Sequence, residues 1–264
     1  MSNSKILEGK RAVVFGAGGS VGAAVAKEFA AEGAELYLSG RNKASVDEVK
    51  AAIESAGGKA DASVLDALDD GAVARYVEQV ASKAGGIDIE FNAVAPNPRE
   101  YGNGKPAIDV SIDEYMVALS TVLKSRIITA KNAARQMIKQ GSGVIIGITG
   151  STARGHIAGG TSLGIAFGAI ETLMENLAFE VSPKGVRVVC LRMTANVDSN
   201  AIRNTARAMK LSEEQFSTML ANLNFLKTPA KIADTAKAAA MIASDRFRLL
   251  TGTVVNSSAG AALD

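Results

Sequence analysis

A chain of 264 residues is near the upper limit for one domain, and 47% hydrophobic residues suffice for a full core. The formal charge of +2, spread along the chain, excludes a polyanion-binding surface, and no apolar stretch is long enough to span a membrane. Because there is one cysteine, Cys190, and residues 1–10 lack the apolar core of a signal peptide, we expect a cytoplasmic protein without disulfides, nucleic-acid partners or a membrane anchor.

Short apolar runs alternate with longer segments of helical period along the chain. The runs lie at residues 11–15, 35–38, 87–91, 144–148, 186–191 and 253–255. Such runs are typical of parallel strands that are covered on both faces. Ser45, Ser111 and Ser212 each stand three residues before a Glu or Gln, which is the capping-box spacing of a helix start. The pattern predicts an α/β fold: a single doubly wound Rossmann domain over residues 1–264, with about seven parallel strands flanked by helices on both faces.

Residues 194–228 resemble an insertion before the last strand, rich in helix-forming and apolar residues. Two interpretations stay open. The segment forms either helices that pack on the core or on a partner subunit, or a mobile helical lid on the substrate side.

A glycine-rich turn, Gly16-Ala-Gly-Gly-Ser-Val-Gly22, follows the first strand and opens a helix. Its glycines let the backbone approach a pyrophosphate, and the helix N-terminus supplies free N–H groups and a positive dipole. We therefore predict that this turn binds a dinucleotide. The residues predicted to do so are Gly16, Gly18, Gly19, Ser20, Val21 and Gly22.

The turn after the second strand, Ser39-Gly40-Arg41-Asn42, bears on the choice of cofactor. A protein that prefers NAD places an acidic side chain there for the ribose 2′-hydroxyl, and none is present. The Arg41 guanidinium suits a 2′-phosphate, and Ser39 and Asn42 add hydrogen-bond donors. The turn therefore predicts NADP(H) in preference to NAD(H).

With these features the chain resembles the short-chain dehydrogenase/reductase family over essentially its whole length. The resemblance is carried by the two turns, by Asp66 after the third strand, by Asn92-Ala93 after the fourth, and by residues 243–245 and 250–256. It implies that Asp66 contacts the adenine ring and that Asn92 and Ala93 line the ribose side of the nicotinamide. It also implies a homo-oligomer, a dimer or tetramer whose subunits pair through long helices.

The resemblance does not extend to the residues that transfer the proton in this family. Family members protonate the nascent alkoxide with a tyrosine, helped by a lysine four residues later, a serine and an asparagine. Alignment with this sequence places Leu163 and Phe167 at the tyrosine and lysine, and Gly150 and Val122 at the serine and asparagine. The enoyl-acyl-carrier-protein reductase branch has its tyrosine three residues upstream, but here that residue is Gly160. The chain is thus identified as a divergent member that lacks the tetrad.

Ser151 and His156 are the candidates that remain for proton transfer, and Arg192 is a candidate to bind an acidic substrate group. No metal ligands are predicted. Two functions stay open. One is an NADP(H)-dependent oxidoreductase with a non-standard active site, acting on a small carbonyl, enone or imine. The other is an inactive family member that serves as a cofactor-binding sensor or as the structural partner of an active relative in a mixed oligomer. Non-redox chemistry such as isomerisation is a third interpretation.

Overall fold

The computed structural model describes residues 5–155, 157, 159–208 and 210–263, without the side chains of Arg99 and Ala208. Within this part of the chain, seven parallel strands form one sheet in the order β3-β2-β1-β4-β5-β6-β7. The strands are β1 (Arg11–Phe15), β2 (Glu35–Gly40), β3 (Lys59–Val64), β4 (Ile89–Asn92), β5 (Gly143–Gly150), β6 (Val186–Met193) and β7 (Thr253–Ser257).

Helices connect the strands and cover both faces of the sheet. The α-helices are α1 (Ser20–Ala31), α2 (Lys43–Ser55), α3 (Asp70–Ala84), α4 (Ile112–Ala118), α5 (Lys124–Gln140), α6 (Thr161–Val181), α7 (Asn200–Ala208), α8 (Glu213–Asn222) and α9 (Ile232–Ala243). A π-helical turn, Leu119–Leu123, joins α4 to α5. None of the helices in the described ranges is long and apolar enough to cross a membrane. The predicted doubly wound fold is confirmed.

The start of α2 differs from the prediction. The helix begins at Lys43, and Asn42 is its N-cap, with the side-chain oxygen accepting the Ser45 N–H at 3.2 Å. The capping box assigned to Ser45 is therefore wrong, because an asparagine three residues earlier caps a helix as well as serine does. The capping boxes predicted at Ser111 and Ser212 are both present.

Two apolar clusters form the core, one on each face of the sheet. Because side chains alternate along a strand, Val13 and Phe15 of β1 join one cluster while Ala12 and Val14 join the other. Chain order reverses between β1 and β4, so the loops after these strands diverge and leave a crevice at their carboxyl ends. In doubly wound sheets this is where ligands bind.

Residues 194–228 contain α7 and α8. The first residue of α7 reaches the glycine turn, since the Asn200 N–H donates to Ser20 Oγ at 3.2 Å. Phe216 of α8 is buried, whereas Phe225 and Leu226 after it are largely exposed. The segment therefore lies next to the crevice; its role as a lid stays a prediction.

Candidate cofactor and active site

A cleft of about 270 Å³ opens at the carboxyl ends of β1, β2 and β4. Many of the predicted cofactor residues line it, although they come from four separate parts of the chain. Those that do are Gly16, Gly18, Gly19, Ser39, Arg41, Asn42, Asp66 and Ala93. The fold thus brings together residues up to 77 positions apart in sequence. Val94 also lines the cleft, as do Leu68 and Thr121, which were not singled out from the sequence.

The glycine turn has little room for side chains. Gly16 has φ +71°, and a Cβ added there would lie 2.8 Å from the Val94 backbone nitrogen. Gly19 caps α1 without a side-chain hydrogen bond, so no side chain of the cap occupies the N–H groups of the first turn. Unfilled space above a helix N-terminus fits a pyrophosphate. Gly22 packs against the Gly16 carbonyl instead of lining the cleft.

The residues predicted to hold the 2′-phosphate differ in their surroundings. Arg41 is exposed on the rim of the cleft, and within the described residues its guanidinium has no hydrogen-bond or ion-pair partner. Ser39 is 1% exposed and its hydroxyl donates to the Val14 carbonyl at 3.5 Å. The Asn42 side-chain oxygen caps α2, which leaves its amide N–H groups as donors. Of the three side chains, that of Arg41 is therefore the most available to bind a phosphate.

Asp66 and Asn92 contact the cleft in different ways. Asp66 lines the cleft, and one of its carboxylate oxygens accepts the Leu68 N–H at 3.0 Å. Asn92 is fully buried beneath the cleft, and its side-chain oxygen accepts the Val94 N–H at 2.8 Å. Ala93, between Asn92 and Val94, faces the cleft. Asn92 therefore acts on a ligand only through the backbone that it holds.

The residues aligned with the family tetrad lie close to one another. Leu163 and Phe167 pack against the core cluster that includes Val122, which is 1% exposed. Gly150 ends β5, and a Cβ added there would lie 2.8 Å from Phe167 Cε2. The Phe167 ring thus occupies the space into which a side chain at position 150 would extend. Of the four, only Leu163 and Phe167 are partly exposed, so these two side chains form the apolar surface here, with Val122 and Gly150 buried behind it.

Hydroxyl groups stand around this apolar surface. Ser151 is buried, and its carbonyl accepts the N–H groups of Arg154 and Gly155. Thr152 Oγ1 and Ser162 Oγ are buried without a hydrogen-bond partner in the described part of the chain, and the sequence had not indicated Ser162. His156 lies outside the described residues.

Arg192 does not bind a substrate in this arrangement. It is 1% exposed, and its Nε and Nη2 contact the two carboxylate oxygens of Glu171 at 2.8 and 2.9 Å. Thr149 donates to the same carboxylate at 3.1 Å. The substrate-binding interpretation of Arg192 is therefore wrong. Its strand position turns the side chain onto α6, where Glu171 neutralises it.

Comparison with protein families matches residues 16–262 to a family model described as Enoyl-(Acyl carrier protein) reductase. The chain is 30% identical over 264 residues to the oxidoreductase asL5 of Sarocladium schorii, a match that covers 99% of both chains. It is 26% identical over 259 residues to a 7alpha-hydroxysteroid dehydrogenase of Escherichia coli, covering 98% of this chain and 96% of that one.

Comparison with solved structures agrees. A 7alpha-hydroxysteroid dehydrogenase complexed with NADH and 7-oxo glycochenodeoxycholic acid superposes with a TM-score of 0.85, at 25% identity over 100% of this chain and 99% of that one. An NAD+-bound xylitol dehydrogenase superposes with a TM-score of 0.87 at 23% identity, over 96% and 99% of the two chains. The latter shows similarity of fold alone.

Proposed function

The chain belongs to the short-chain dehydrogenase/reductase family of oxidoreductases, and from that premise we propose that it transfers hydride between NADP(H) and a small carbonyl, enone or imine. The observation that carries the proposed cofactor preference is Arg41, an exposed cation on the rim of the cleft with no hydrogen-bond or ion-pair partner among the described residues. Asp66 is the one acidic residue that lines the cleft in the described part of the chain, and it follows β3, not β2.

In this proposal each part of the cleft holds one part of the cofactor. The glycine turn and the first turn of α1 bind the pyrophosphate, Arg41 binds the 2′-phosphate, Asp66 contacts the adenine, and Ala93 borders the nicotinamide ribose. The bound cofactor supplies or accepts the hydride. The side chains around the reacting carbon then determine the access of water and the source of the proton.

The proton source distinguishes this site from the family pattern. Reduction of a carbonyl leaves an alkoxide that must take up one proton, and neither Leu163 nor Phe167 carries one to give. We propose that the Ser151 hydroxyl or a water molecule donates it. Because a positioned general acid typically contributes ~10²–10⁴ in rate, turnover of simple ketones is expected to be slow. The apolar surface around Phe167 favours an apolar substrate.

Single-turnover mixing with NADPH tests this proposal. Purified protein with bound NADPH is mixed with ketones, enones and imines, and loss of the NADPH absorbance is followed. We expect oxidation of NADPH with at least one substrate class. If Ser151 donates the proton, Ser151→Ala should slow this oxidation about tenfold or more. If water donates the proton, Ser151→Ala should leave the rate unchanged. Ser55→Ala, an exposed serine on α2, is the matched control.

Binding of NADPH without oxidation by any substrate class would contradict the proposal. That outcome would identify the chain as a cofactor-binding sensor or as a structural subunit in a mixed oligomer, an alternative that the dehydrogenases and reductases among its relatives do not support. The homo-oligomer, a dimer or tetramer, remains part of the proposal. Exposed apolar side chains on the long helices support it, namely Ile127, Ile165 and Phe179.

A further inference from the structure

Two charged side chains lie buried beneath the cleft without a direct ion pair between them. Glu90, in the middle of β4, is 1% exposed, and Arg126, in the first turn of α5, is 3% exposed. Glu90 Oε1 and Arg126 Nε have no hydrogen-bond partner in the described part of the chain. Buried charges are costly unless they are paired and hydrogen-bonded, so their retention needs an explanation.

Hydrogen bonds connect Arg126 through Asn92 to Thr129. Arg126 Nη1 donates to Asn92 Oδ1, and the Asn92 amide donates to Thr129 Oγ1 at 2.9 Å. The Thr129 hydroxyl favours the charged form of the Glu90 carboxylate and so holds the pKa of Glu90 below the value that burial alone would give. Glu90 and Asn92 are two residues apart on one strand, so their side chains leave the sheet on the same side, under α5. Arg126 is the donor at one end of this network, and Thr129 and Glu90 lie at the other.

The network ends at the wall of the cofactor cleft. Arg126 Nη1 also donates to the Val94 carbonyl at 3.3 Å, and Asn92 Oδ1 accepts the Val94 N–H at 2.8 Å. The backbone N–H and the carbonyl of Val94 are thus both hydrogen-bonded to buried side chains. Val94 lines the cleft, and its nitrogen lies 2.8 Å from the place that a Cβ on Gly16 would take. The position of Val94 therefore limits how the glycine turn can sit.

Few other charged groups in the described part of the chain act on Glu90 and Arg126. Val13 of β1 and Ile145 of β5 flank Glu90 in the sheet register. The titratable and charged groups that act on the pair are few: Arg126 acts on Glu90 from α5, and the buried thiol of Cys190 on β6 acts on Arg126. Burial raises the pKa of Glu90 to about 7 and lowers the pKa of Arg126 to about 10.

We propose that Arg126 is a positioning residue for the nicotinamide half of the cofactor, which fixes the Asn92–Val94 segment, and that Glu90 balances its charge. This inference rests on the proposed function, because it takes Ala93 and Val94 to border the nicotinamide ribose. It assigns no contact between Arg126 and the cofactor. The adenine and its 2′-phosphate, bound by Asp66 and by the turn after β2, lie outside the reach of the network.

The test compares two ligands that differ in the half they present. NADPH contains both halves, whereas 2′,5′-ADP contains only the adenine half with its 2′-phosphate. Arg126→Met removes the donors and keeps an unbranched side chain. We expect it to weaken NADPH binding about tenfold or more, measured by fluorescence titration, and to change 2′,5′-ADP binding by less than about twofold.

The matched control is Arg11→Met. Arg11 is half-buried, and its side chain donates two hydrogen bonds to Asp88 and one to the Ala84 carbonyl. It is the first residue of β1, so it lies at the amino ends of the strands, away from the cleft. Its loss should lower the melting temperature without changing the ratio of the two affinities. If Arg126→Met fails to fold, Arg126→Lys, which keeps the charge and changes the donor geometry, provides the same comparison and is expected to weaken only NADPH.

A charge effect tests the role of Glu90. When Glu90 takes up a proton, the Arg126 cation is left unbalanced near the nicotinamide, which disfavours the positively charged oxidised ring. The ratio of the Kd of NADP+ to that of NADPH should therefore rise by about threefold or more as pH falls from about 8 to about 6. In Glu90→Gln the ratio should not vary with pH. Ionisation of the 2′-phosphate cancels because both ligands carry it.

Each remaining outcome is decisive. Equal weakening of NADPH and 2′,5′-ADP by Arg126→Met, or no weakening of either in a folded variant, would refute the positioning role. A ratio with the same pH dependence in Glu90→Gln as in the unmodified protein would refute the charge balance. Failure of the unmodified protein to bind NADPH and 2′,5′-ADP would instead refute the proposed function.

Discussion

Arg41 is the residue on which the proposed preference for NADP(H) depends. It follows β2 at the position where an acidic side chain would select NAD, and its guanidinium is exposed with no partner in the described residues. A guanidinium forms bidentate, charge-assisted hydrogen bonds with phosphate, while it gains little from a ribose hydroxyl. The two cofactors differ only in that phosphate, so the residue should distinguish them.

Substitution of this cation should therefore affect one cofactor. Arg41→Ala is expected to weaken NADPH binding about tenfold or more, because charge-assisted hydrogen bonds contribute about 1.5–3 kcal/mol, and to change NADH binding by less than about twofold. Isothermal titration with each cofactor measures both. Arg75→Ala, on the exposed side of α3, is the control. Equal losses for NADPH and NADH would remove the basis for the preference.

At the scale of elements, α6 approaches β5 closely at two glycines. A Cβ at Gly147 would lie 2.8 Å from Met174 Cγ, and one at Gly150 would lie 2.8 Å from the Phe167 ring. The helix thus sits against the strand with large side chains over residues that have none. In this packing the large apolar side chain at position 167 requires a residue without a side chain at position 150.

This dependence predicts a measurable coupling. Gly150→Ala should lower the free energy of unfolding by about 1–3 kcal/mol, because it overpacks the contact with Phe167. In a protein that already carries Phe167→Leu, Gly150→Ala should lower the free energy of unfolding by less. A double-mutant cycle measured by urea unfolding should therefore give a coupling energy of at least about 0.5 kcal/mol between the two positions.

Gly168→Ala is the control for this cycle, since Gly168 lies on α6 with its nearest neighbouring atom 4.0 Å from the added Cβ. It should be neutral or stabilising by up to about 1 kcal/mol. Strict additivity of Gly150→Ala and Phe167→Leu would show that the ring and the glycine are not coupled.

At the scale of the whole molecule, the outer surfaces of the long helices carry apolar side chains. Phe179 of α6 is 87% exposed, and Ile165 on the same helix is 49% exposed. Apolar side chains of this size at the surface of a helix are typical of subunit contacts when they are contiguous. They support the proposed pairing of subunits through these helices.

Light scattering tests the pairing. We expect the mass of a dimer or tetramer for the unmodified protein, and a smaller mass for Phe179→Asp, because a carboxylate buried in the contact would lose its hydration. Phe225→Asp, at an exposed position after α8, should keep the full mass. A monomer at micromolar concentration would contradict the proposed assembly.

The sequence by itself determined the order of strands and helices along the chain, the glycine turn and the cation after β2, and it predicted the lack of a tyrosine–lysine pair. These are local patterns, set by side-chain periodicity and by residue type. Tertiary structure decided which distant residues meet: Phe167 against Gly150, Glu171 with Arg192, and Arg126 under Asn92. Such contacts depend on how α5 and α6 pack on the sheet, and no spacing within one segment specifies that packing.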